Sequence, residues 1–246
     1  MLELVRLLPS IRIGMNLNFG GPGSLTLMNY KTYKGLTPLN KSKRSRPLNN
    51  TEQLVQILNR YKWTPGEGKT CLLLIDLQEY FRGMIQPMLP QLQSIITTAR
   101  EGNIPLIFTQ HGHKSTKEAG MLGAWWADLI IKGTPEARLL PELNIRSEDI
   151  VIQKDRYNAF YNTALAEKLK QRNITDLVIG GVMTNLCCET TARDAFVRDF
   201  RVFFLADGTS TGEEDYHLST LKNLSFGFAT LMTCAQFIKT MKSWEA

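Results

Sequence analysis

Three side chains that can carry nucleophilic chemistry follow apolar segments of this sequence. Asp76 ends the run Thr-Cys-Leu-Leu-Leu-Ile, Lys154 ends Asp-Ile-Val-Ile-Gln, and Cys187 follows the apolar residues 177–179 after a glycine-containing turn. A thiol is a nucleophile, a carboxylate can take and return its proton, and an ammonium can stabilise negative charge. The combination indicates an enzyme with a cysteine nucleophile.

The pattern around Cys187 predicts a strand, a tight turn and the first turn of a helix in succession. The first turn of a helix presents unpaired backbone N–H groups and a positive dipole end, which favour a thiolate. Each residue also has a structural interpretation: Cys187 as core packing, Asp76 as a helix cap or loop-fixing carboxylate, and Lys154 as a solvated charge. Their joint occurrence at three strand ends favours catalysis.

Apolar runs alternate with helical periodicity over most of the chain, which predicts an α/β fold. We expect a three-layer α/β/α arrangement around a six-stranded, mostly parallel open sheet. The strands are predicted at residues 70–76, 105–110, 149–154, 176–181, 200–207 and 228–233, and helices at 51–61, 87–101, 162–172, 186–199 and 213–226. Active sites of such sheets lie at the carboxyl ends of the strands, so Asp76, Lys154 and Cys187 are expected to converge there.

Composition predicts one domain, residues 51–246, preceded by a basic and largely irregular extension, residues 1–50. The net charge is +6, but residues 1–50 hold eight basic side chains and one acid, so the rest of the chain sums to −1. A nucleic-acid partner is therefore not expected. The extension is interpreted as a solvated tail or a cover for the domain or a partner, with an organelle transit peptide as the alternative.

The four cysteines, Cys71, Cys187, Cys188 and Cys234, show no C-x-x-C spacing, so we expect reduced thiols and a cytoplasmic protein. No apolar stretch approaches the roughly 18 residues of a membrane helix, so no membrane partner is expected. Neighbouring side chains on a helix point about 100° apart, so only one of Cys187 and Cys188 can face a crevice. We expect Cys188 to be buried packing.

Three blocks of this sequence resemble the signature blocks of the isochorismatase-like cysteine hydrolases. They are Leu73-Leu-Ile-Asp76-Leu-Gln, Lys154-Asp-Arg-Tyr-Asn-Ala-Phe160-Tyr-Asn-Thr163 and Gly181-Val-Met-Thr-Asn-Leu-Cys187-Cys-Glu-Thr-Thr-Ala-Arg-Asp-Ala195. The segment His111-Gly-His-Lys-Ser115, followed by Gly120-Met-Leu-Gly-Ala-Trp-Trp126, is most similar to the plant-type nicotinamidase branch. The resemblance covers roughly residues 68 to 240 and leaves the first fifty unexplained.

The resemblance implies a Cys-Asp-Lys triad that hydrolyses a small amide through a thioester, with nicotinamide as the first candidate. Lys154 would lower the pKa of the Cys187 thiol, and Asp76 would take its proton and pass it to the leaving amine. The family also implies an oxyanion hole from the backbone N–H groups of Met183 and Cys187, with a cis peptide bond between Val182 and Met183. The alternatives are a carbamoyl or ureido amidohydrolase and a family member that binds a small molecule without catalysis.

No cofactor is expected, and a divalent metal ion is the alternative, although its ligand set is incomplete. Well-known nicotinamidases carry an Asp-x-His pair and a distant histidine around a divalent ion, but the matching place here is His111-Gly-His113 and the only other histidine is His217. Two histidines are too few for a typical catalytic metal site, so no metal ligand is assigned.

The substrate pocket is expected to be lined by aromatic side chains, which suit a flat aromatic amide. The residues predicted to contact the substrate are Phe81, His113, Trp125, Tyr157 and Phe160. A homo-oligomer is expected by analogy with the family.

Overall fold

The structure, a computed structural model, describes residues 51–126 and 128–244, so the predicted extension at residues 1–50 lies outside the described residues. Its centre is a six-stranded sheet in which every neighbouring pair of strands is parallel. The strands are β1 (Thr70–Ile75), β2 (Leu106–His111), β3 (Ile150–Lys154), β4 (Asp176–Val182), β5 (Arg201–Ser210) and β6 (Thr230–Met232). Their order in the sheet is β3-β2-β1-β4-β5-β6, which confirms the predicted α/β fold.

Helices cover both faces of this sheet. The α-helical segments are α1 (Thr51–Leu58), α2 (Arg82–Ile85), α3 (Leu89–Glu101), α4 (Met121–Trp125), α5 (Leu165–Gln171), α6 (Glu189–Val197), α7 (Glu214–Gly227) and α8 (Cys234–Lys242). Within the described part of the chain, no helix is long and apolar enough to cross a membrane.

Two hydrophobic cores lie on opposite faces of the sheet, because successive side chains of a strand point to opposite sides. On β1, Leu73 and Ile75 pack into the core that also holds residues of α5, α6 and α7. Leu72 and Leu74 pack into the other core, with residues of α3 and α8. Every residue of β1 and β4 is buried, as expected for central strands covered on both faces.

The β6 edge of the sheet is covered by a side chain. The Asn59 Nδ2 donates to the Leu231 carbonyl at 2.8 Å, and the Leu231 N–H donates to Asn59 Oδ1 at 2.7 Å. This amide therefore satisfies backbone groups of β6 that a further strand would otherwise pair with.

Helix α8 (Cys234–Lys242) has no counterpart among the predicted elements, and the largest boundary differences lie near Cys187. The strand predicted to end at residue 207 continues to Ser210, and its register with β4 shifts between Ile179 and Gly181. The helix predicted from residue 186 begins as a wide, π-helical turn at Thr184–Cys188 and becomes α-helical only from Glu189. Cys187 therefore lies in a widened turn and not in the first turn of a regular α-helix.

Candidate active site

Asp76 follows β1, at the point where the order of the strands changes direction between β1 and β4. It is fully buried and has a left-handed backbone, with φ of 51°. The Thr109 hydroxyl donates to Asp76 Oδ1 at 2.6 Å and accepts from the Asp76 N–H at 3.1 Å. Thr109 thus fixes both the carboxylate and its backbone. Sequence analysis missed this residue, whose only signal is a hydroxyl within the apolar run of β2.

Lys154 ends β3, which is separated from β1 by β2, so the three strand ends are not all adjacent. Its long side chain crosses the end of β2. The Lys154 Nζ lies 2.6 Å from Asp76 Oδ2, 3.5 Å from Cys187 Sγ and 3.0 Å from the Arg156 carbonyl oxygen. An ammonium has three N–H donors, and three acceptor atoms lie near it here.

The Lys154 side chain remains charged although it is buried. Burial alone disfavours its ammonium form, but the Asp76 carboxylate and the Cys187 sulfur raise the pKa of Lys154 above its ordinary value. The structure therefore holds a buried ammonium–carboxylate pair against the sulfur of Cys187.

Cys187 is a neutral thiol in this arrangement. Burial raises the pKa of Cys187 to about 12; the Lys154 ammonium lowers it and the Asp76 carboxylate raises it. Lys154 therefore lowers the pKa of Cys187 as expected, but the net pKa is raised because the loss of hydration outweighs the attraction of one ammonium.

The backbone before Cys187 has the conformation that the resemblance implies. The Val182–Met183 peptide bond is cis, which confirms that prediction. Gly181 precedes it with φ of 120°, and a Cβ at this position would collide with the backbone of Ile75. Glycine therefore allows the ends of β1 and β4 to approach closely enough for Asp76 to meet the turn that carries Cys187.

Cys188 is fully buried, as predicted, and burial raises the pKa of Cys188 well above its ordinary value. It does not line the cavity on which Cys187 lies. Of the two neighbouring thiols, only Cys187 contacts the Lys154 ammonium.

A cavity of about 260 Å³ lies over Cys187 and is mostly apolar. The described residues that line it are Tyr80, Phe81, Met84, His111, Leu122, Trp126, Asp128, Leu129, Ile130, Tyr157, Met183, Leu186 and Cys187. Cys187 is 6% exposed, and the exposed side chains Tyr80, Trp126 and Asp128 belong to the same lining. Asp128 is the only charged side chain among these residues.

Two of the five predicted substrate contacts, Phe81 and Tyr157, line this cavity. Phe160 does not, because it is buried in the core and stacks on Phe200 with ring centroids 5.9 Å apart. Trp125 does not line it either, since its side chain is 76% exposed.

Trp126 takes the place that was expected for Trp125. It lines the cavity, and its Nε1 donates to the Tyr157 hydroxyl at 2.6 Å. Trp125 lines a neighbouring surface pocket and not the cavity over Cys187.

His111 replaces His113 in the same way. His111 lines the cavity, whereas His113 is 1% exposed and lies behind it, with ring centroids 4.9 Å apart. The Gln78 side chain holds His111 by accepting from its N–H at 2.7 Å and donating to its carbonyl at 2.8 Å. Sequence analysis missed the role of Gln78, although the residue lies in one of the signature blocks.

Both histidines are neutral near pH 7. Burial lowers the pKa of His111 to about 4, and it also lowers the pKa of His113. His111 Nδ1 and both ring nitrogens of His113 lack a hydrogen-bond partner among the described residues. Over residues 51–126 and 128–244, no group of three or more His, Cys, Asp or Glu side chains could hold a metal ion.

Comparison with known proteins matches this chain to one family. A family profile described as an isochorismatase domain matches residues 70–236. The chain is 40% identical over 183 residues to Nicotinamidase 3 of Arabidopsis thaliana, which covers 73% of this chain and 92% of that protein. It is 32% identical over 170 residues to a ureidoacrylate amidohydrolase of Methylobacterium radiotolerans, which covers 61% of this chain and 66% of that protein.

A solved structure gives the same result for the fold. An isochorismatase-like hydrolase from Alkaliphilus metalliredigens superposes with a TM-score of 0.64 at 30% identity, covering 72% of this chain and 98% of the other.

Proposed function

Because this chain belongs to the isochorismatase family, we propose that it hydrolyses the C–N bond of a small, neutral, planar amide, most specifically nicotinamide to nicotinate and ammonia. The similarity to Nicotinamidase 3, which spans 92% of that protein, supports this substrate. Asp76, Lys154 and Cys187 are the proposed catalytic residues, and Tyr157, Phe81, Trp126 and His111 the proposed substrate contacts.

The observation that carries this proposal is the chemistry of the cavity over Cys187. Aromatic and aliphatic side chains form most of its lining, and no lysine or arginine is among the described lining residues. A flat, uncharged ring can be desolvated in such a cavity, whereas a carboxylate would lack a partner and lie near Asp128. The ring nitrogen of nicotinamide would have the neutral His111 within the same lining.

The lining of the cavity also argues against the alternative within the family, a carbamoyl or ureido amidohydrolase. The similarity to a ureidoacrylate amidohydrolase raises that substrate class, but its substrate carries a carboxylate. Without a basic lining residue, we expect turnover of a ureido acid to be much weaker than turnover of a neutral aromatic amide.

The proposed reaction begins with proton transfer from the Cys187 thiol to Asp76 as the sulfur attacks the amide carbonyl. The Asp76 Oδ2 contacts Lys154 as an ion pair but accepts no regular hydrogen bond among the described residues, so a lone pair is available for the proton. The Lys154 ammonium, 3.5 Å from the sulfur, stabilises the negative charge as it develops.

The tetrahedral oxyanion would be bound by the N–H groups of Met183 and Cys187, both of which line the cavity. Its collapse breaks the C–N bond, and Asp76 returns the proton so that ammonia leaves. A thioester remains on Cys187. Asp76 then removes a proton from water, which attacks the thioester, and the carboxylic acid leaves as Cys187 regains its proton.

The test is ammonia release by purified protein from nicotinamide, from a carboxylate-free aromatic amide and from a ureido acid. The wild type and Cys187→Ala are compared, each with and without a chelator. We expect turnover of the two neutral amides by the wild type only, unchanged by the chelator because no step uses a metal. Cys188→Ala is the matched control and should keep its activity.

Equal rates for the wild type and Cys187→Ala would overturn the proposal. Preference for the ureido acid would replace the proposed substrate class while keeping the triad.

A further inference from the structure

His217, like His113, neither lines the cavity nor belongs to the triad. It lies on α7, and its Nδ1 is 3.0 Å from the hydroxyl oxygen of Thr184. Thr184 is fully buried and is the first residue of the wide turn that ends at Cys188. A hydrogen bond therefore connects α7 to Thr184, which directly follows Met183 and lies three positions before Cys187.

The ring of His217 is held at both sides. A hydrogen bond to the backbone of Ala206, in β5, adds to the bond with Thr184. Burial lowers the pKa of His217, so the ring is neutral near pH 7 and has one donor and one acceptor nitrogen for these two partners. The imidazole thus bridges β5 and the wide turn.

The turn needs such a tie because its own backbone is irregular. It is wound more widely than an α-helix. Two more side-chain bonds hold its flanks: the Thr211 hydroxyl donates to Asn185 Oδ1 at 2.7 Å, and the Thr220 hydroxyl donates to Glu189 Oε2 at 2.8 Å. Among the described residues, only the His217 side chain bonds to the side chain of Thr184, which directly follows Met183.

We propose that the Thr184–His217 pair is a positioning device for the Cys187 sulfur and the Met183 and Cys187 N–H groups. This inference deepens the proposed amide hydrolysis and rests on it for its kinetic test. His217 does not touch the reacting atoms. It acts by holding the turn so that the sulfur meets Lys154 and the two N–H groups point at one oxygen.

The first test compares single and double variants by steady-state kinetics. Thr184→Val and His217→Leu each remove the bond, and we expect kcat to fall by about 10–100-fold with little change in KM, because misplacement of a nucleophile costs about this much. The double variant should lose no more than either single variant. Thr184→Ser keeps the hydroxyl, and His217→Asn keeps a nitrogen or oxygen near the position of Nδ1. Both variants should therefore recover most of the rate.

The matched control is Thr220→Val, which removes the other bond from α7 without touching Thr184. It should lose thermal stability to a similar extent but keep kcat. Equal losses of kcat in Thr220→Val and His217→Leu, or additive losses in the double variant, would assign the pair a purely structural role and overturn the proposal.

A second measurement does not depend on the substrate. Alkylation of Cys187 by iodoacetamide, followed by mass spectrometry, reports the setting of the sulfur even if the wild type hydrolyses no amide. We expect the alkylation rate to change in Thr184→Val and His217→Leu, because the burial of the sulfur and its contact with Lys154 both change when the turn shifts, and to stay unchanged in Thr220→Val. Unchanged alkylation in all three variants would overturn the positioning role independently of the proposed function.

Discussion

Two buried aspartates at opposite ends of the sheet each form an ion pair, and the two pairs serve different purposes. Asp176, at the start of β4, accepts from Arg201 Nε at 2.8 Å, from the Gly66 N–H at 2.7 Å and from the Thr175 hydroxyl at 3.1 Å. Both of its carboxylate oxygens are satisfied. Asp76, at the other end, contacts Lys154 through Oδ2 without a regular hydrogen bond there.

The two ion pairs differ in whether a carboxylate oxygen remains available to accept a proton. Asp176 and Arg201 fasten the starts of β4 and β5 and leave no acceptor free for chemistry. Asp76 and Lys154 lie against a thiol that faces a cavity. A fully satisfied pair is suited to stabilising the fold, and an incompletely satisfied pair beside a nucleophile is suited to moving a proton. The predictions below separate these two roles.

The largest effect is expected for Asp76→Asn. The amide has nearly the same shape but cannot accept the thiol proton, so kcat should fall by about 10⁴-fold, as for the orienting aspartate of other triads. Because the buried Lys154 ammonium loses its partner, the free energy of unfolding should also fall. Ammonia release and chemical denaturation measure the two effects. A variant that keeps most of its kcat would contradict the role of Asp76.

Asp176→Asn is the matched substitution at the other end of the sheet. It should lower the free energy of unfolding by about 2 kcal/mol, less than for a fully buried pair because the Arg201 side chain is 41% exposed. The kcat of the folded protein should stay within about twofold of the wild type. Asp176 lies at the opposite end of the sheet from Cys187, and the energetic effects of distant sites are usually independent. A large loss of kcat without a loss of stability would break the distinction between the two aspartates.

The pH dependence of Cys187 alkylation tests whether the sulfur beside Asp76 and Lys154 is a neutral thiol. The raised pKa, about 12, means that the thiolate fraction is small at pH 7 and grows about tenfold per pH unit. The alkylation rate of the protein without substrate should therefore rise throughout pH 7 to 10. A plateau below pH 8 would show that the sulfur is already an anion and that the ammonium outweighs burial.

The smallest effect is expected at the mouth of the cavity. Trp126→Phe removes the bond to the exposed Tyr157 hydroxyl but keeps an aromatic wall, so KM should rise by a few-fold, consistent with about 1 kcal/mol. Trp125→Phe is the control, since that side chain points to solvent. Steady-state kinetics of the two variants compares them. A larger change in KM for Trp125→Phe would restore the original expectation that Trp125 contacts the substrate.

The sequence predicts the positions of the three proposed catalytic groups well because strand ends determine them. Each apolar run that ends in Asp76, Lys154 or precedes Cys187 must bring its end to the same edge of a parallel sheet. The cis bond before Met183 could be predicted only through the resemblance to a family, since nothing in the local pattern requires it.

The loop side chains that face the cavity could not be predicted to the same extent. His111 lines the cavity in place of His113 because Gln78, 33 residues earlier, fixes its backbone. Likewise, Trp126 and not Trp125 faces inward, where it bonds to Tyr157. These choices depend on contacts between distant segments, which a local pattern does not contain.

The protonation state of Cys187 was the least predictable property. The neighbouring charges could be inferred from the motifs, and they suggested a lowered pKa. The degree of burial, which decides the direction, depends on how completely the wide turn and the surrounding core exclude water.

The central claim is that Cys187, served by Asp76 and Lys154, forms a covalent thioester with a neutral aromatic amide. Rapid acid quenching of the wild type during turnover of nicotinamide, followed by digestion and fragment-level mass spectrometry, tests it most directly. The account predicts a nicotinoyl group on Cys187, absent from Cys188 and from the Cys187→Ala variant. Turnover without an acyl group on Cys187, or with the group on Cys188, would contradict it.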